Sequence, residues 1–463
     1  MRILYGLASV VVALWCATGA AAAESGSPGT LSVVAGVVGE SNVGTGIPPV
    51  SGSATSAHLN GPTAVATDSA GDVYVADSGD NVVVKITATG TLSVVAGTGV
   101  RGTPSPGPAT QSDLNDPYAL AVDPAGDLYI ADLGNDMVEK VTPAGMLSVV
   151  AGTGRQGAPT QGPATASDLG RPVSVAVGPT GDLYVADLEN NDVEEVTPAG
   201  TLSITVGAGR VNSPDGVAVD SSGDLYIADA GGAILKLTPQ GRLSTVAGML
   251  RRSGGPTPGP ATQSLLGGPM GMAVDAAGDL YIADFGNSCV EEVTPGGVLS
   301  VIAGTGATAL PGTEQLDLNT LVVPQGIAVS ANGALYMASS GSGIVEEMAD
   351  APDARLLGRP TTAVGSPHVR GTGVTQTLSC LSGDAPCSVT ATLRTTSRGS
   401  TVLARRKLVI AVGRYRTITL VPNRIGKLLL RRLGTLRVTL TITTNQTTFS
   451  RRHETFVVRL PSP

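Results

Sequence analysis

Apolar and polar residues alternate in short runs along most of this 463-residue chain. Typical runs are "DLYIAD" at 127–132, "VEKVT" at 138–142 and "LSVVAG" at 147–152. Turn sequences such as "DPAGD" at 123–127 and "TPAG" at 142–145 separate them. Alternation of period two between Gly, Pro and Asp turns predicts short β-strands and an all-β fold.

These runs recur as a repeated unit. The pattern Gly-Asp-Leu-Tyr-Ile-Ala-Asp and its variants place a tyrosine at six positions with intervals of 55, 55, 42, 55 and 55 residues: Tyr74, Tyr129, Tyr184, Tyr226, Tyr281 and Tyr336. Each unit contains four predicted strands. Radial repetition of a four-stranded unit is the architecture of a β-propeller, which protects its sheet edges.

One strand is displaced from its unit. The "LSVVAG"-type fourth strand occurs first at 31–36, before any complete unit, whereas the last unit has no fourth strand of its own. We therefore predict that residues 30–36 complete the final blade and close a six-bladed ring without an open edge.

The run "LNDPYALAVDPAGDLYIADLGNDMVEKVTPAGMLSVVAGTG" at 114–154 resembles the NHL repeats of secreted bacterial six-bladed propellers. The resemblance covers about residues 30–350, since whole units recur, and it implies the six-bladed fold. The departures are local: Ser339 replaces the aspartate that ends the second strand elsewhere, Gly178 replaces a turn aspartate, and residues 207–214 form a shortened connection.

The N-terminus has the pattern of a secretory signal. Arg2 precedes an apolar run to Trp15, and small residues follow, so we predict a signal peptide over 1–23 and a propeller over 24–350. The predicted location is extracellular, with cell-wall association as an open alternative. Cys289 falls within the propeller and is expected to be a buried apolar side chain.

The repeats end near residue 350. Residues 351–370 are predicted to be a linker, and 371–463 a β-sandwich resembling the immunoglobulin-like tail domains of secreted actinobacterial proteins. Cys380 and Cys387 are expected to form a disulfide in an oxidising compartment. Residues 360–463 carry sixteen basic and two acidic side chains. This surface is expected to be solvated or to dock on its own propeller, with binding to an anionic cell-wall polymer as the alternative.

Two motifs resemble ligand-binding sequences but are interpreted as structural turns. Gly97, Gly99 and Gly102 match a dinucleotide-binding turn, but prolines follow where a helix is required, so no such cofactor is predicted. The closely spaced Asp123, Asp127 and Asp132 suggest calcium, yet aspartates at tight turns commonly accept backbone N–H bonds. We therefore expect turn capping, with no metal and no cofactor.

The candidate binding site follows from strand direction. Strands alternate within a blade, so the loop after the second strand and the connection between blades meet on one rim, which we call the mouth of the channel. The first strand of each blade starts with a proline, and the following residue varies from blade to blade. We call this set the mouth residues: Thr63, Tyr118, Val173, Asp215, Met270 and Gln325.

The predicted function is non-catalytic binding or scaffolding through this loop-rich face, with a protein or glycan partner. The alternative is a propeller lyase or hydrolase that uses channel carboxylates such as Asp215. Catalysis by histidine has little support, because His58 is the single histidine of the propeller region. Aromatic residues that could stack on bases are few and no nucleic-acid-binding motif is present, so no nucleic-acid partner is expected. We expect a monomer without a membrane span.

Overall fold

A computed structural model describes residues 31–37, 49, 51–304 and 323–348, together with the backbone of seven strands between residues 362 and 459. The predicted signal peptide 1–23 and most of the predicted linker 351–370 lie outside the described residues. Contacts divide the chain into two units, one containing residues 31–348 and one containing the strands after residue 362. Among the described residues, no helix has the length and apolar composition needed to cross a bilayer.

The first unit is a six-bladed β-propeller. Within its described residues, the chain forms six antiparallel sheets whose four main strands run in order from the channel to the periphery. The first three blades each add a two-residue outer strand and comprise, in turn, β2 (Gly52–Ser53), β3 (Pro62–Thr67), β4 (Val73–Asp77), β5 (Val82–Ile86) and β6 (Thr91–Ala96); β7 (Gly107–Pro108), β8 (Pro117–Val122), β9 (Leu128–Asp132), β10 (Met137–Val141) and β11 (Met146–Ala151); and β12 (Gly162–Pro163), β13 (Pro172–Val177), β14 (Leu183–Asp187), β15 (Asp192–Val196) and β16 (Thr201–Val206).

The remaining blades follow the same order. They comprise β17 (Pro214–Val219), β18 (Leu225–Asp229), β19 (Ala233–Leu237) and β20 (Leu243–Gly248); β21 (Gly259–Pro260), β22 (Pro269–Val274), β23 (Leu280–Asp284), β24 (Cys289–Val293) and β25 (Val298–Gly304); and β26 (Pro324–Val329), β27 (Leu335–Ser339) and β28 (Ile344–Met348), completed by β1 (Leu31–Ala35). Short 3-10 helices lie at Ala54–Ser56, Ser78–Asp80, Ala109–Gln111, Leu133–Asn135, Ala164–Ala166, Ala261–Gln263 and Phe285–Asn287.

The predicted closure of the ring is confirmed. Strand β1 pairs antiparallel with β28 and places Leu31 opposite Met348. Gly36 N–H then donates to Ala54 O of the first blade at 3.0 Å. The same bond joins the first and second blades, where Gly97 N–H donates to Ala109 O at 3.0 Å. The junction that closes the ring therefore has the same glycine-to-alanine hydrogen bond as the junction between the first and second blades.

The core lies between neighbouring blades rather than inside one sheet. One cluster combines Tyr74 and Ala76 of the first blade with Leu128 and Ile130 of the second. Both faces of a blade are covered in this way. The buried clusters consist mainly of Val, Ile, Leu and Ala side chains, whose burial stabilises the fold. Cys289 is free and fully buried here, as the sequence predicts.

The long connections between blades pack partly on the outer edge. Ala109, which is fully buried, donates its N–H to Gly145 O in the hairpin between the third and fourth strands of the second blade, at 2.8 Å. Its carbonyl accepts the bond from Gly97 described above. Ala54, Ala164 and Ala261 donate in the same way to Gly90, Gly200 and Gly297 in the corresponding hairpins of their own blades. Less of these four connections is therefore left for the mouth than the sequence predicts.

The second unit consists of antiparallel strands. A three-stranded sheet has the order β29 (Thr362–Arg370), β30 (Gly373–Cys380) and β33 (Arg414–Leu420). A four-stranded sheet has the order β32 (Val402–Ile410), β31 (Cys387–Thr395), β34 (Thr435–Thr444) and β35 (Arg452–Arg459). The side chains of Cys380 and Cys387 lie outside the described residues, so the disulfide and the immunoglobulin-like class stay predictions.

Candidate functional site

Each innermost strand enters the channel through a sharp backbone turn. The residue before the leading proline has a positive φ in all six blades: Gly61, Asp116, Arg171, Ser213, Gly268 and Val323. Proline then fixes φ and begins the strand. The left-handed conformation is costly for residues other than glycine, so surrounding contacts must impose it.

Buried carboxylates from the same blade hold this turn. The aspartate that ends the second strand accepts the N–H of the residue two positions before the leading proline. Asp132 accepts from Asn115 N at 2.9 Å, and Asp187 accepts from Gly170 N at 2.7 Å. The first, fourth and fifth blades repeat the contact through Asp77, Asp229 and Asp284.

A second bond comes from the preceding blade. Asn81 Oδ1 accepts the N–H of Asp116 at 3.0 Å, and Asp136 Oδ1 accepts the N–H of Arg171 at 3.0 Å. Asn191 Oδ1 binds Ser213 N in the same manner at 2.8 Å. Two neighbouring blades thus fix the position at which each innermost strand reaches the channel.

All six mouth residues line one axial cavity. About 60 Å³ of it is open to the centres of water molecules, which is room for roughly four waters. Pockets that enclose a drug-sized ligand are several times larger. The channel itself therefore cannot bury such a molecule, and contacts with a larger partner would be made at its mouth.

One side of the mouth is polar and internally bonded. Gln325 Nε2 donates to Tyr118 Oη at 2.6 Å, which joins the sixth blade to the second across the first. Beneath this bond, Thr63 Oγ1 donates to Tyr118 O at 2.9 Å and contacts Ser78 Oγ at 2.6 Å. The bond from Gln325 restrains the Tyr118 ring, and the bond from Thr63 restrains its backbone. Because Tyr118 is already ordered, less side-chain entropy is lost when a partner binds.

The opposite side combines a carboxyl group with apolar side chains. Asp215 is half-buried, and desolvation together with the negative charge of Asp229 raises its pKa to about 6. Burial and the charge of Asp215 raise the pKa of Tyr118 as well. Val173 and half-buried Met270 complete the ring. The sequence thus selects six residues that the structure brings together, although their role in binding stays a prediction.

The turn aspartates act as predicted at the opposite rim. Asp123 Oδ1 accepts the N–H groups of Ala125 and Asp127 at 2.9 Å each. Asp127 in turn forms an ion pair with Lys140 at 3.0 Å. Asp68, Asp220 and Asp275 make the same two turn bonds. Asp132 lies apart from this turn, at the far end of its strand, where it caps the connection to the channel.

The blades contain a set of buried acidic side chains that the sequence pattern did not predict. A glutamate in the middle of the third strand is fully buried in four blades: Glu139, Glu194, Glu291 and Glu346. Each lies near the residue that ends the second strand, which is Asp132, Asp187, Asp284 or Ser339. The signal was the repeated Val-Glu-Glu/Lys sequence at 138–140, 193–195, 290–292 and 345–347, in which the charge of the glutamate suggests exposure to solvent.

These buried carboxyl groups predict a stability that falls as the pH rises. Burial is the largest cause that raises the pKa of Asp77 to about 8 and the pKa values of Asp132 and Glu346 to about 7. Since the folded state keeps protons that the unfolded chain releases near pH 4, their contribution is full below that pH and is lost through pH 7–8. We expect a lower Tm at pH 8.5 than at pH 5.5 in metal-free buffer. Asp132→Asn should reduce this difference, and a Tm that is flat or rises over the interval would contradict the assignment.

Two family models match parts of the chain. Residues 78–197 match the Teneurin NHL domain, and residues 266–291 match the NHL repeat. No curated protein matches the sequence significantly.

Solved structures share the propeller fold at low sequence identity. An auxiliary nutrient binding protein from Bacteroides thetaiotaomicron has a TM-score of 0.53 and 14% identity, covering 69% of this chain and 75% of that one. A related auxiliary nutrient binding protein from Bacteroides ovatus has a TM-score of 0.52 and 16% identity, covering 69% and 76%. A structural genomics protein of unknown function from Bacteroides thetaiotaomicron has a TM-score of 0.52 and 17% identity, covering 69% and 75%. At this identity the likeness establishes the fold alone.

Proposed function

We propose that this six-bladed β-propeller with NHL repeats is a secreted, non-catalytic binding protein that engages a protein or glycan partner at the mouth of its channel. The observation that supports this proposal most is the convergence of six chemically different mouth residues on one rigid scaffold. Variable side chains held by a fixed framework are the usual basis of recognition.

The geometry favours a partner that covers the mouth over one that enters the channel. The cavity holds only a few water molecules, so a ligand of ordinary size must bind across the six strand ends. The Tyr118 ring is restrained by Gln325 and offers a flat surface to a sugar ring or a peptide side chain. Asp215 offers a carboxyl group to hydroxyl or amine donors, and Met270 provides an adaptable apolar contact.

The named structural relatives are compatible with this proposal. Two of them are described as auxiliary nutrient binding proteins. Their similarity to this chain shows only a shared fold. The proposal of a binding role rests on the mouth residues.

The test is a binding screen with variants of the mouth. The full chain is applied to a glycan array and to a cross-linking experiment with secreted proteins of its source, and each captured partner is titrated against variants. Tyr118→Ala is expected to weaken binding about tenfold or more, which is the effect of losing one aromatic contact. Ala144→Ser, in an exposed hairpin at the opposite rim, is the matched control and should leave the affinity unchanged. Equal affinities of all three proteins for every partner would refute the mouth as the binding surface.

A second function is favoured by one observation, the raised pKa of Asp215. A carboxyl group that titrates near pH 6 at the edge of a cavity is suited to general acid–base catalysis in a lyase or hydrolase. Lactone, phosphoester and glycoside substrates are therefore assayed with wild type and Asp215→Asn. An enzyme of this kind would turn over one of them and lose about 100-fold or more of that rate in the variant, with an unchanged Tm. The binding proposal expects no turnover by the wild-type protein.

A further inference from the structure

The buried glutamate of the third strand has a different neighbour in the third, fifth and sixth blades. In the fifth blade Cys289 Sγ donates to Glu291 Oε1 at 3.0 Å. In the sixth blade Ser339 Oγ donates to Glu346 Oε2 at 3.0 Å. A thiol or a hydroxyl group thus supplies one hydrogen bond to the buried acid, as buried polar groups require.

The third blade replaces the donor by another acid. Asp192 occupies the position of Cys289 and pairs directly with Asp187 in the sheet. Glu194 follows two residues later on the same face of β15. One carboxyl oxygen from each of these three residues lies within 4.8 Å of one from each of the others, and all three residues are buried. We call Asp187, Asp192 and Glu194 the blade-3 triad.

Two members of the triad have oxygen atoms without a donor from outside the triad. Glu194 is fully buried and lies within hydrogen-bond distance of the carboxyl groups of Asp187 and Asp192. Among the described residues, no donor from outside the triad reaches either of its carboxyl oxygens or Asp192 Oδ1. Asp187 differs, because it accepts bonds from Gly170 N and from the side chain and backbone of Asn190. The triad therefore combines one carboxylate fixed by N–H donors with three carboxyl oxygen atoms that have no donor from outside the triad.

Such a group needs positive charge when its members are ionised. Either bound protons or a bound cation can neutralise the buried triad. One carboxyl oxygen from each member lies close enough to the others for a single cation to contact all three.

We propose that the blade-3 triad is a calcium site, with Glu194 as a two-oxygen ligand and Asp192 and Asp187 as one-oxygen ligands. Carboxylate oxygens select a hard cation. Calcium fits better than magnesium, because Mg²⁺ retains several waters and demands octahedral geometry, whereas Ca²⁺ accepts irregular oxygen sets. The second blade lacks the third acid, since Met137 stands at that position, and is not part of the proposal.

The site would stiffen a seam that leads to the mouth. Asp187 holds Gly170 at the start of the third blade's channel strand, and Asn191, next to Asp192, holds Ser213 at the start of the fourth. A cation bound to the triad therefore stabilises two of the six positions at which the chain reaches the channel, including the strand that carries Asp215.

The test measures calcium binding by the full chain at pH 7.5 after treatment with chelator. Equilibrium dialysis with ⁴⁵Ca²⁺ is expected to give one ion per chain. Calcium at about 100 times its Kd should raise the Tm by about 3–6 °C, whereas the same concentration of Mg²⁺ should give less than half of this rise.

Three variants distinguish this site from any other. Glu194→Gln and Asp192→Asn should lose the bound ion and the Tm rise, while their Tm in chelator is equal to or above that of wild type because repulsion is removed. Glu346→Gln, at the matching position of the sixth blade, should keep the bound ion and the rise in Tm with calcium. Absence of bound Ca²⁺ in the wild type, or retention of the ion and the Tm rise by Glu194→Gln, would overturn the proposal. The dialysis measurement decides the outcome even if a variant is less stable.

Discussion

Deletion of residues 31–36 is expected to abolish the cooperative thermal unfolding of the propeller. The deletion removes the partner of β28 and leaves buried Ile344, Val345 and Met348 at an open sheet edge. Lost strand pairing and lost burial of Leu31 and Ala35 together cost on the order of 5 kcal/mol, which is comparable to the whole stability of an ordinary domain. Circular dichroism during heating and size-exclusion chromatography should show a weak, broad transition and aggregation through the exposed edge.

The control moves the deleted strand to a position after β28 in the sequence, where it can form the same pairing with β28. In the sixth blade Leu31 pairs with Met348 as Leu147 pairs with Val141 in the second. Residues 31–36 are therefore attached after Met348 through the five-residue turn 142–146, with the original copy removed. This variant should recover a single sharp transition. A deletion variant that unfolds like the wild type would show that β1 contributes little to the ring.

Gly216→Ala is expected to destabilise the propeller by about 3 kcal/mol or more. Gly216 follows Asp215 on the channel strand of the fourth blade, and a Cβ atom there would stand 1.9 Å from Met270 O of the next blade. The obstacle is backbone, so no rotation of a side chain relieves it. Chemical denaturation should show a lower midpoint with little change in slope, and the mouth residues on either side should be displaced.

The second blade supplies the reciprocal substitution. Ala119 stands at the same register position as Gly216, and its Cβ is already accommodated. Ala119→Gly should therefore cost only about 0.5–1 kcal/mol, the usual effect of glycine within a regular element. Similar costs for the two substitutions would mean that the inner strands of the fourth and fifth blades can separate without penalty.

The closure of the ring and the mouth residues could be predicted because both follow from the number and order of the repeated units in the sequence. Six copies of each strand, one of them out of phase, leave a single arrangement in which every strand has a partner. The prolines that start the innermost strands mark one register position in each unit, so Tyr118 and Gln325 could be identified before their 2.6 Å hydrogen bond was seen. That bond itself could not be predicted, since it joins residues 207 positions apart.

The buried acids were beyond the reach of the pattern. Alternation assigns every second residue of a strand to solvent when one face of a sheet is exposed. In this propeller both faces of a blade are covered by neighbouring blades, so a charged residue can be buried on either face. Glu194 therefore looks like a surface residue in "NNDVEEV" and is fully buried in the structure. The outer strands such as β7 were missed for a different reason, because only two residues of "GPAT", Gly107 and Pro108, pair with the neighbouring strand.

The pairing of β1 with β28 has a consequence for synthesis on the ribosome. The two strands are separated by roughly 300 residues of sequence, which takes about 15 to 60 s to translate. During that interval the first strand has no neighbour, although the earlier blades can already associate with one another. The sixth blade is therefore the last to assemble, and a nascent chain must keep its leading strand from pairing with another polypeptide until the end of the propeller has emerged.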